Sequence, residues 1–220
     1  MHHRKLGPCL PHYDAEGVVV DMSTRKKDAD DPSLQVEAIL GSGRSALSVA
    51  MFGAGWLGWG LGLAHAFNGF VGPVFGAVAL LLWVGSINTI RKGRFFRKQY
   101  PPVPASTRRV VQKSFFIVVL IEVLAIAFVS ILSIQIHRPD LGTNWCAMVV
   151  GLHFLPLARL FRSAHLGFIG ILITLCCVLC WALFRSNALV IAVSVGTGTL
   201  LWAASFSALF RARKIAHSLP

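Results

Sequence analysis

The sequence predicts an all-α membrane protein, a polytopic bundle of six transmembrane helices with both termini in the cytosol. Of 220 residues, 55% are hydrophobic and only 14% are charged, whereas soluble domains carry about 25% charged residues. The acidic residues are concentrated near the N-terminus, because only Glu122 and Asp140 of the nine follow Ala46. The lysines and arginines, in contrast, recur in alternate links between apolar segments.

Six apolar segments are long enough to cross a bilayer as helices, since roughly 20 residues span a hydrocarbon core about 30 Å thick. Backbone N–H and C=O groups in lipid must be paired within their own segment, which favours helices. The fourth segment is the shortest. The predicted spans are Ala46–Phe67, Phe70–Ile90, Ser114–Ile134, Trp145–Phe161, Leu166–Phe184 and Ala188–Phe210.

The spans divide the chain into three parts. Residues 1–45 are predicted to form a cytosolic, largely disordered leader, with at most a short interfacial helix at Leu34–Leu40. Residues 46–211 form the membrane domain, and residues 212–220 form a cytosolic tail. The first part of the leader is not typical of folded sequence, and Ser-Thr-Arg-Lys-Lys follows Met22. We therefore expect translation to start at Met22.

The basic residues predict the orientation of the spans. All but two of the 21 lysines and arginines lie in the leader, the second link, the fourth link and the C-terminal segment. The two exceptions are Arg138 in the third link and Arg185 in the fifth. Because positively charged links stay cytoplasmic, this alternation predicts that both termini are cytosolic.

The link between the second and third spans carries a basic cluster, followed by three prolines that favour an extended spacer. The simplest interpretation is a topology determinant, and the alternative is contact with anionic lipid headgroups on the cytosolic face. The net charge of +12 also raises nucleic-acid binding, which we do not expect, because the topology already accounts for the charge. The cluster comprises Arg91, Lys92, Arg94, Phe95, Phe96, Arg97 and Lys98.

Small residues recur every four positions along the first span, which predicts a stripe on one helix face. Small residues let helix backbones approach closely, and this approach drives helix association in lipid. The second span offers Gly72 and Gly76, and only Asn68 and Gly69 join the two spans. The pattern therefore predicts a tight antiparallel hairpin. The stripe comprises Ala46, Ala50, Ala54, Gly58, Gly62 and Ala66.

Glu122 is the only acidic residue within a predicted span, about 12 Å from its cytosolic end. An ionisable group there costs about 2.5–3.5 kcal/mol on insertion scales, so it invites a functional hypothesis. His153 and Arg159 on the fourth span bracket its depth, and either could be its partner. The group could fix helix packing, could form a proton- or substrate-handling site with His153, or could face trapped water without a role.

The fourth span contains the run Gly-Leu-His-Phe-Leu-Pro-Leu-Ala-Arg from Gly151 to Arg159. It resembles a Gly-Leu-His-Phe-x-Pro-Leu-Ala motif in uncharacterised six-helix bacterial membrane proteins, over this span and the following helix. The resemblance implies that His153 and Pro156 belong to a shared design, but it implies no activity. We expect a multi-pass protein of the bacterial inner membrane.

The motifs of common enzymes are missing. The sequence has no Gly-x-Ser-x-Gly elbow, no His-Glu-x-x-His and no paired aspartates within spans. The run Gly53–Gly58 fits the dinucleotide pattern, but its N–H groups would already be paired within a helix. Cys176 and Cys180 are too few for a metal site. We therefore expect no cofactor and rank an enzyme last.

Two functional hypotheses remain. The first is a structural or accessory membrane component, as a homo-oligomer or a subunit that docks through the small-residue stripe, and it predicts a closed bundle with paired polar groups. The alternative is a small transporter or sensor with a polar mid-membrane site at Glu122, His153 and Arg159, and it predicts a water-accessible cavity there.

Overall fold

A computed structural model describes residues 32–100, 105–160 and 163–219, with the side chains of 105–112 excepted. This part of the chain is all-helical, and its six helices are each long and apolar enough to cross a membrane. The prediction of six helices of membrane-spanning length and composition is therefore confirmed for the described residues, whereas Met22 and residues 1–31 lie outside them. The helices are α1 Pro32–Leu63, α2 Val71–Phe96, α3 Ala105–Gln135, α4 Pro139–Leu160, α5 Ala164–Leu183 and α6 Ser186–Ser218.

The short helix predicted at Leu34–Leu40 is longer than expected and continuous with the first span, because all of the described leader, residues 32–45, belongs to α1. Apolar residues lie on one face of this segment with the spacing of an amphipathic helix, and they are buried. The last of these buried residues, Gly43, is so close to α2 that a Cβ on it would lie 2.9 Å from Ile90. The helical part of the leader is therefore packed onto α2. The buried residues here are Val36, Ile39, Leu40 and Gly43.

Other helix ends also extend beyond the predicted spans. Residues 105–113 continue α3 and are not a spacer, and α6 runs through the predicted tail to Ser218. Seven residues, not two, separate α1 from α2. In that link the Asn68 side chain accepts hydrogen bonds from the backbone N–H groups of Phe70 and Val71, at 3.0 and 2.9 Å. These bonds pair two donors that the start of α2 would otherwise leave free.

Successive helices run antiparallel, so the short links 64–70, 136–138 and 184–185 lie together at one end of the bundle, called here the link end. The opposite, basic end holds the start of α1 and the ends of α2 and α6. Both α1 and α3 terminate in a left-handed residue, His65 and His137, with φ of 50° and 54°. After His137, the N–H of Arg138 bonds to Ser133 O at 3.0 Å, which closes a Schellman turn.

The most extensive helix contact joins α1 to α6, and glycine makes it possible. A Cβ on Gly53 would lie 2.6 Å from the ring of Trp202. A Cβ on Gly198 would lie 2.6 Å from the backbone nitrogen of Leu57 and 2.9 Å from the carbonyl oxygen of Gly53. The two backbones are therefore close enough that no side chain fits between them, which is the arrangement that stabilises helix pairs in lipid.

Two side chains of α6 also hydrogen-bond to the backbone of α1. Ser205 Oγ donates to Ala46 O at 2.8 Å, and Trp202 Nε1 donates to Ala50 O at 3.1 Å. The Trp202 ring stacks on Phe75 of α2, with ring centroids 5.3 Å apart. Trp202 therefore connects three helices at one level of the bundle.

The predicted stripe is corrected by this packing. Ala46 and Ala50 are fully buried, and their carbonyl oxygens accept the hydrogen bonds from α6, whereas Gly62 is exposed. A four-residue repeat advances about 40° per step on a helix of 3.6 residues per turn, so the stripe winds about 160° around α1 between Ala46 and Gly62. The α1 residues buried in this region follow spacings of three, four and seven, which stay on one face. They are Ala46, Ala50, Gly53 and Gly60.

The hairpin of α1 and α2 is antiparallel, as predicted, but Gly72 and Gly76 do not make its close contacts. A Cβ on Gly76 would meet nothing within 4 Å, and one on Gly72 would meet only Phe67, in the link, at 3.9 Å. A Cβ on Gly58 would lie 3.5 Å from the ring of Phe75, which is ordinary van der Waals contact. Of the remaining stripe positions, Ala54 is half-buried.

The remaining helices pack around α4, α5 and α6, which form the main core. A Cβ on Gly170 of α5 would lie 2.6 Å from Gly151 O of α4, so this pair also depends on close backbone approach. Among the described residues α3 packs against α4 alone. Its span from Lys113 to Gln135 is therefore the least buried of the six.

We predict that Gly198→Ala destabilises the protein while Gly76→Ala does not. The added methyl at Gly198 meets backbone atoms that cannot move locally, and overpacking costs about 1–3 kcal/mol. In a chain of this size that lowers the melting temperature by roughly 2–4 °C per kcal/mol. Thermal unfolding in mild detergent measures the shift, and equal melting temperatures for the two variants would contradict the described α1–α6 contact.

Candidate functional site

The side chains of Glu122 and His153 are in direct polar contact between α3 and α4. Glu122 Oε2 lies 3.2 Å from His153 Nδ1, and the two side chains are 18% and 10% exposed. The antiparallel register of the two helices sets this position, since Ser130 Oγ also lies 3.5 Å from Cys146 Sγ two turns away. The two polar groups within the predicted spans therefore meet at a helix–helix interface.

The imidazole of His153 has a second contact with α3. Its Nδ1 is at hydrogen-bond distance from Glu122 Oε2, and the ring also lies against the backbone of Val118, one turn before Glu122. A ring held at two points along α3 has little freedom to rotate. The arrangement fixes both the rotation of α3 and its height against α4.

Arg159 does not join this pair. It is exposed, and no carboxylate in the described part of the chain lies within ion-pair distance of it. Six residues separate it from His153, which on a helix is about 240° of rotation and about 9 Å of rise. The two side chains therefore leave α4 in different directions, and of the two predicted partners of Glu122 the structure pairs it with His153.

The predicted basic cluster lies at the basic end, on the last turns of α2 and the residues after it. Most of its side chains are exposed, and Phe95 is 62% exposed. Arg97 Nε lies 3.4 Å from Glu37 Oε1, which ties this end of α2 to α1. Such half-exposed pairs contribute about 0–1 kcal/mol. Contact of the cluster with lipid headgroups stays a prediction.

A groove of about 750 Å³ lies between α1 and α3, with α4 as its floor, and the backbones of α1 and α3 do not approach each other closely within the described residues. Aromatic side chains of α1 and hydroxyl groups of α3 and α4 line it. None of Glu122, His153 and Arg159 lines it. Its lining includes Ser48, Phe52, Trp56, Trp59, Ser130 and Thr143.

A second cavity, of about 590 Å³, adjoins the groove at the link end and shares Trp59, Pro139 and Thr143 with it. We call this cavity the mouth of the groove. Arg138 and Arg185 both line it. In the sequence, these two arginines depart from the alternation of basic and non-basic links. This departure is the signal from which a charged site at the link end could have been predicted. The groove itself left no signal in the sequence, because it depends on which helices fail to touch.

Within residues 32–100, 105–160 and 163–219, no group of three histidine, cysteine, aspartate or glutamate residues could hold a metal ion. Cys176 and Cys180 lie one turn apart on α5 with their sulfurs 4.0 Å apart. Cys177 between them is fully buried in the core. The cysteines of α5 therefore pack as small apolar side chains.

We predict that Glu122 and His153 are energetically coupled in a double-mutant cycle of Glu122→Gln and His153→Asn. Residues in direct contact show coupling of about 0.5–3 kcal/mol, and hydrogen bonds between membrane helices contribute about 0.6–2 kcal/mol. Unfolding free energies in detergent measure it. Arg159→Gln is the matched control and should couple to Glu122→Gln by less than about 0.5 kcal/mol. Equal coupling of both pairs would contradict the described geometry.

The chain was compared with protein-family models, with curated proteins and with solved structures, and none of them matches it. Two features of the described residues bear on function, the Glu122–His153 contact between α3 and α4 and the open groove beside it.

Proposed function

We propose that the protein is a multi-pass membrane component with a structural or accessory role, inserted with both termini in the cytosol. The observation that carries the proposal is the Glu122–His153 pair, which satisfies the two polar groups against each other at a helix interface and outside the groove. A transport site would need such groups to face a passage that water or a substrate can enter.

The proposed orientation is supported by the charges at the two ends of the bundle. The basic end combines the start of α1, the end of α2 and the end of α6, which carry Arg44, the cluster around Arg94, and Lys214. The link end carries Arg138 and Arg185. Lysines and arginines remain on the cytoplasmic side during insertion, so the basic end is assigned to the cytosol. The bacterial inner membrane remains part of the proposal.

The position of α3 supports a structural role for the Glu122–His153 pair. Because this helix packs against α4 alone among the described residues, it has few contacts to hold it. Apolar side chains cannot select one rotation of a helix that is surrounded by lipid, since lipid is equally apolar. A polar contact can, because breaking it leaves two unpaired groups in hydrocarbon. The Glu122–His153 pair thus sets the position of α3.

The accessory role would need a surface that contacts another subunit. Two positions of the stripe of small residues predicted for this purpose, Ala46 and Ala50, are buried against α6 within the same chain. An oligomer would instead use the outward face of α3, where large apolar side chains are exposed. These are Ile121, Leu124, Phe128 and Ile131. We therefore propose α3, the least buried of the six spans, as the surface that a homo-oligomer would use.

A proton-flux assay distinguishes the structural role from the alternative, proton transport through Glu122. Liposomes that contain the purified protein and an internal pH-indicating dye are given an inward proton gradient with a counter-ion path. We expect the wild type and Glu122→Gln to acidify no faster than protein-free liposomes, because the pair closes the interface. A protonophore added at the end verifies that the dye responds.

The contrary result is equally specific. Acidification several-fold faster with the wild type, lost in Glu122→Gln and retained in the control Arg159→Gln, would overturn the structural role and favour the transporter. Both variants must elute as folded protein in size-exclusion chromatography before the rates are compared.

A further inference from the structure

The groove between α1 and α3 is apolar along its length and hydroxylic at its edges. Phe52, Trp56 and Trp59 line it from α1. On the opposite wall and the floor, the polar atoms are the short hydroxyls of Ser130 and Thr143 and their neighbours. Such a surface accepts a hydrocarbon chain and offers a water-soluble ligand few polar partners. Its volume of about 750 Å³ lies within the range of small-molecule sites, roughly 300–1,000 Å³.

The groove has the depth of one lipid leaflet. On α1 it runs from Trp59, near the link end, to Ser48, a distance of about 16 Å at 1.5 Å per residue. Half of a hydrocarbon core about 30 Å thick is about 15 Å. The groove is therefore about as long as the acyl chain of one leaflet is deep, and it opens at the mouth.

The mouth holds every charged residue that the sequence places on the outer side of the predicted topology. Arg138, Asp140 and Arg185 all line it, although they come from two different links. Arg138 is paired with Asp140 through two hydrogen bonds of 3.1 and 3.0 Å. No carboxylate among the described residues lies within ion-pair distance of Arg185. The mouth therefore keeps one positive charge in excess.

The bonds of Arg185 to the chain leave part of its guanidinium available. Both of its described hydrogen bonds use Nη1, to the carbonyl oxygens of Trp181 and Phe184. These contacts anchor the side chain at the end of α5. Arginine presents donors in a planar fork that suits a phosphate group, and phosphate contacts of this kind are among the stronger hydrogen bonds.

We propose that the groove and its mouth bind one anionic phospholipid from the outer leaflet, with its phosphate at Arg185 and Arg138 and an acyl chain along Phe52, Trp56 and Trp59. The inference rests on the membrane insertion and orientation of the proposed function. It identifies the occupant by charge complementarity, since the mouth is positive and the groove that continues from it is apolar.

The proposal explains why α1 and α3 stay apart. A cleft lined by aromatic side chains would be filled by neighbouring lipid in any case. The excess positive charge of Arg185 favours an anionic headgroup, because the headgroup of a zwitterionic lipid carries a cation beside its phosphate. The acyl chain supplies affinity, about 0.8 kcal/mol for each buried CH₂ group before the cost of removing the lipid from the bilayer. Arg185 supplies selectivity.

Native mass spectrometry of the delipidated full chain tests the proposal. Dioleoyl phosphatidylglycerol and dioleoyl phosphatidylcholine carry the same acyl chains, so their comparison isolates the headgroup. We expect one phosphatidylglycerol to bind at least tenfold more tightly than one phosphatidylcholine, and Arg185→Gln to remove most of this preference. Arg213→Gln, an exposed arginine at the basic end, is the matched control and should leave the preference unchanged.

The acyl-chain part of the site is tested by Gly55→Leu. Gly55 lines the groove, and a Cβ there meets nothing within 4 Å, so a larger side chain fills the groove and leaves the fold intact. We expect it to weaken phosphatidylglycerol binding at least tenfold. Gly76→Leu is the control, because Gly76 is equally open but lies on α2 and does not line the groove.

Several results would overturn the proposal. One is equal affinity for the two lipids, and another is unchanged binding in Gly55→Leu. Full competition by inorganic phosphate would mean that the mouth binds the anion without the chain. A dimer that Gly55→Leu dissociates would mean that a second copy fills the groove.

Insertion and orientation are checked separately. Cysteines introduced at Asn187 and Ser218, in a chain without its native cysteines, are labelled with an impermeant maleimide from either side of sealed vesicles. Labelling of Asn187→Cys from the outside alone and of Ser218→Cys from the inside alone upholds the topology. A failed lipid titration with this labelling pattern counts against the lipid site only.

Discussion

The close approach of α1 and α6 is the contact on which the rest of the structure depends. In lipid, two apolar helices gain little from burying leucine, because the lipid tails are as apolar as the side chains. The gain comes from bringing backbones together, and Gly53, Gly60 and Gly198 do this where any larger residue would collide. With α6 fixed on α1, its other faces receive α5, α4 and part of α2. The core of the bundle therefore forms around the last helix of the chain.

The position of α3 follows from what α6 leaves unoccupied. α4 packs on α5 and α6, and α3 packs on the exposed side of α4. With no second helix to hold it among the described residues, α3 depends on the Glu122–His153 pair for its rotation and height. The same isolation leaves the groove beside α1. One polar contact and one cavity are thus two consequences of a single arrangement, in which the third helix lies at the edge of the bundle.

Much of this organisation could be predicted from the sequence. The six helices follow from segment length, because the hydrocarbon thickness sets how many apolar residues a span needs. The depths of Glu122 and His153 follow from their positions along those segments, which made the pairing one of two alternatives. Choosing between His153 and Arg159 required the direction in which each side chain leaves α4. That direction depends on the contact face, and the face was not available from the sequence.

Other features could not be predicted, for different physical reasons. The full length of the leader helix could not be predicted, because the amphipathic pattern at Val36, Ile39 and Leu40 is short and lies next to charged residues. The stripe misled because a repeat of four resembles a straight line in the sequence but winds around a helix. The groove depends on the absence of contact between α1 and α3 in the part of the chain that the structure describes. An absence of contact has no residue pattern of its own.

The Glu122–His153 contact depends on the register of α3 against α4, and disulfide formation measures this register most directly. Ser130 Oγ lies 3.5 Å from the native Cys146 Sγ, so Ser130→Cys brings two thiols within reach of a bond. We expect mild oxidation of the protein in membranes to join them, as shown by mass spectrometry of the linked peptides. Ile131→Cys, on the exposed face of α3, should not be joined to Cys146. A disulfide at Ile131→Cys, or no disulfide at Ser130→Cys, would contradict the register and the Glu122–His153 contact that depends on it.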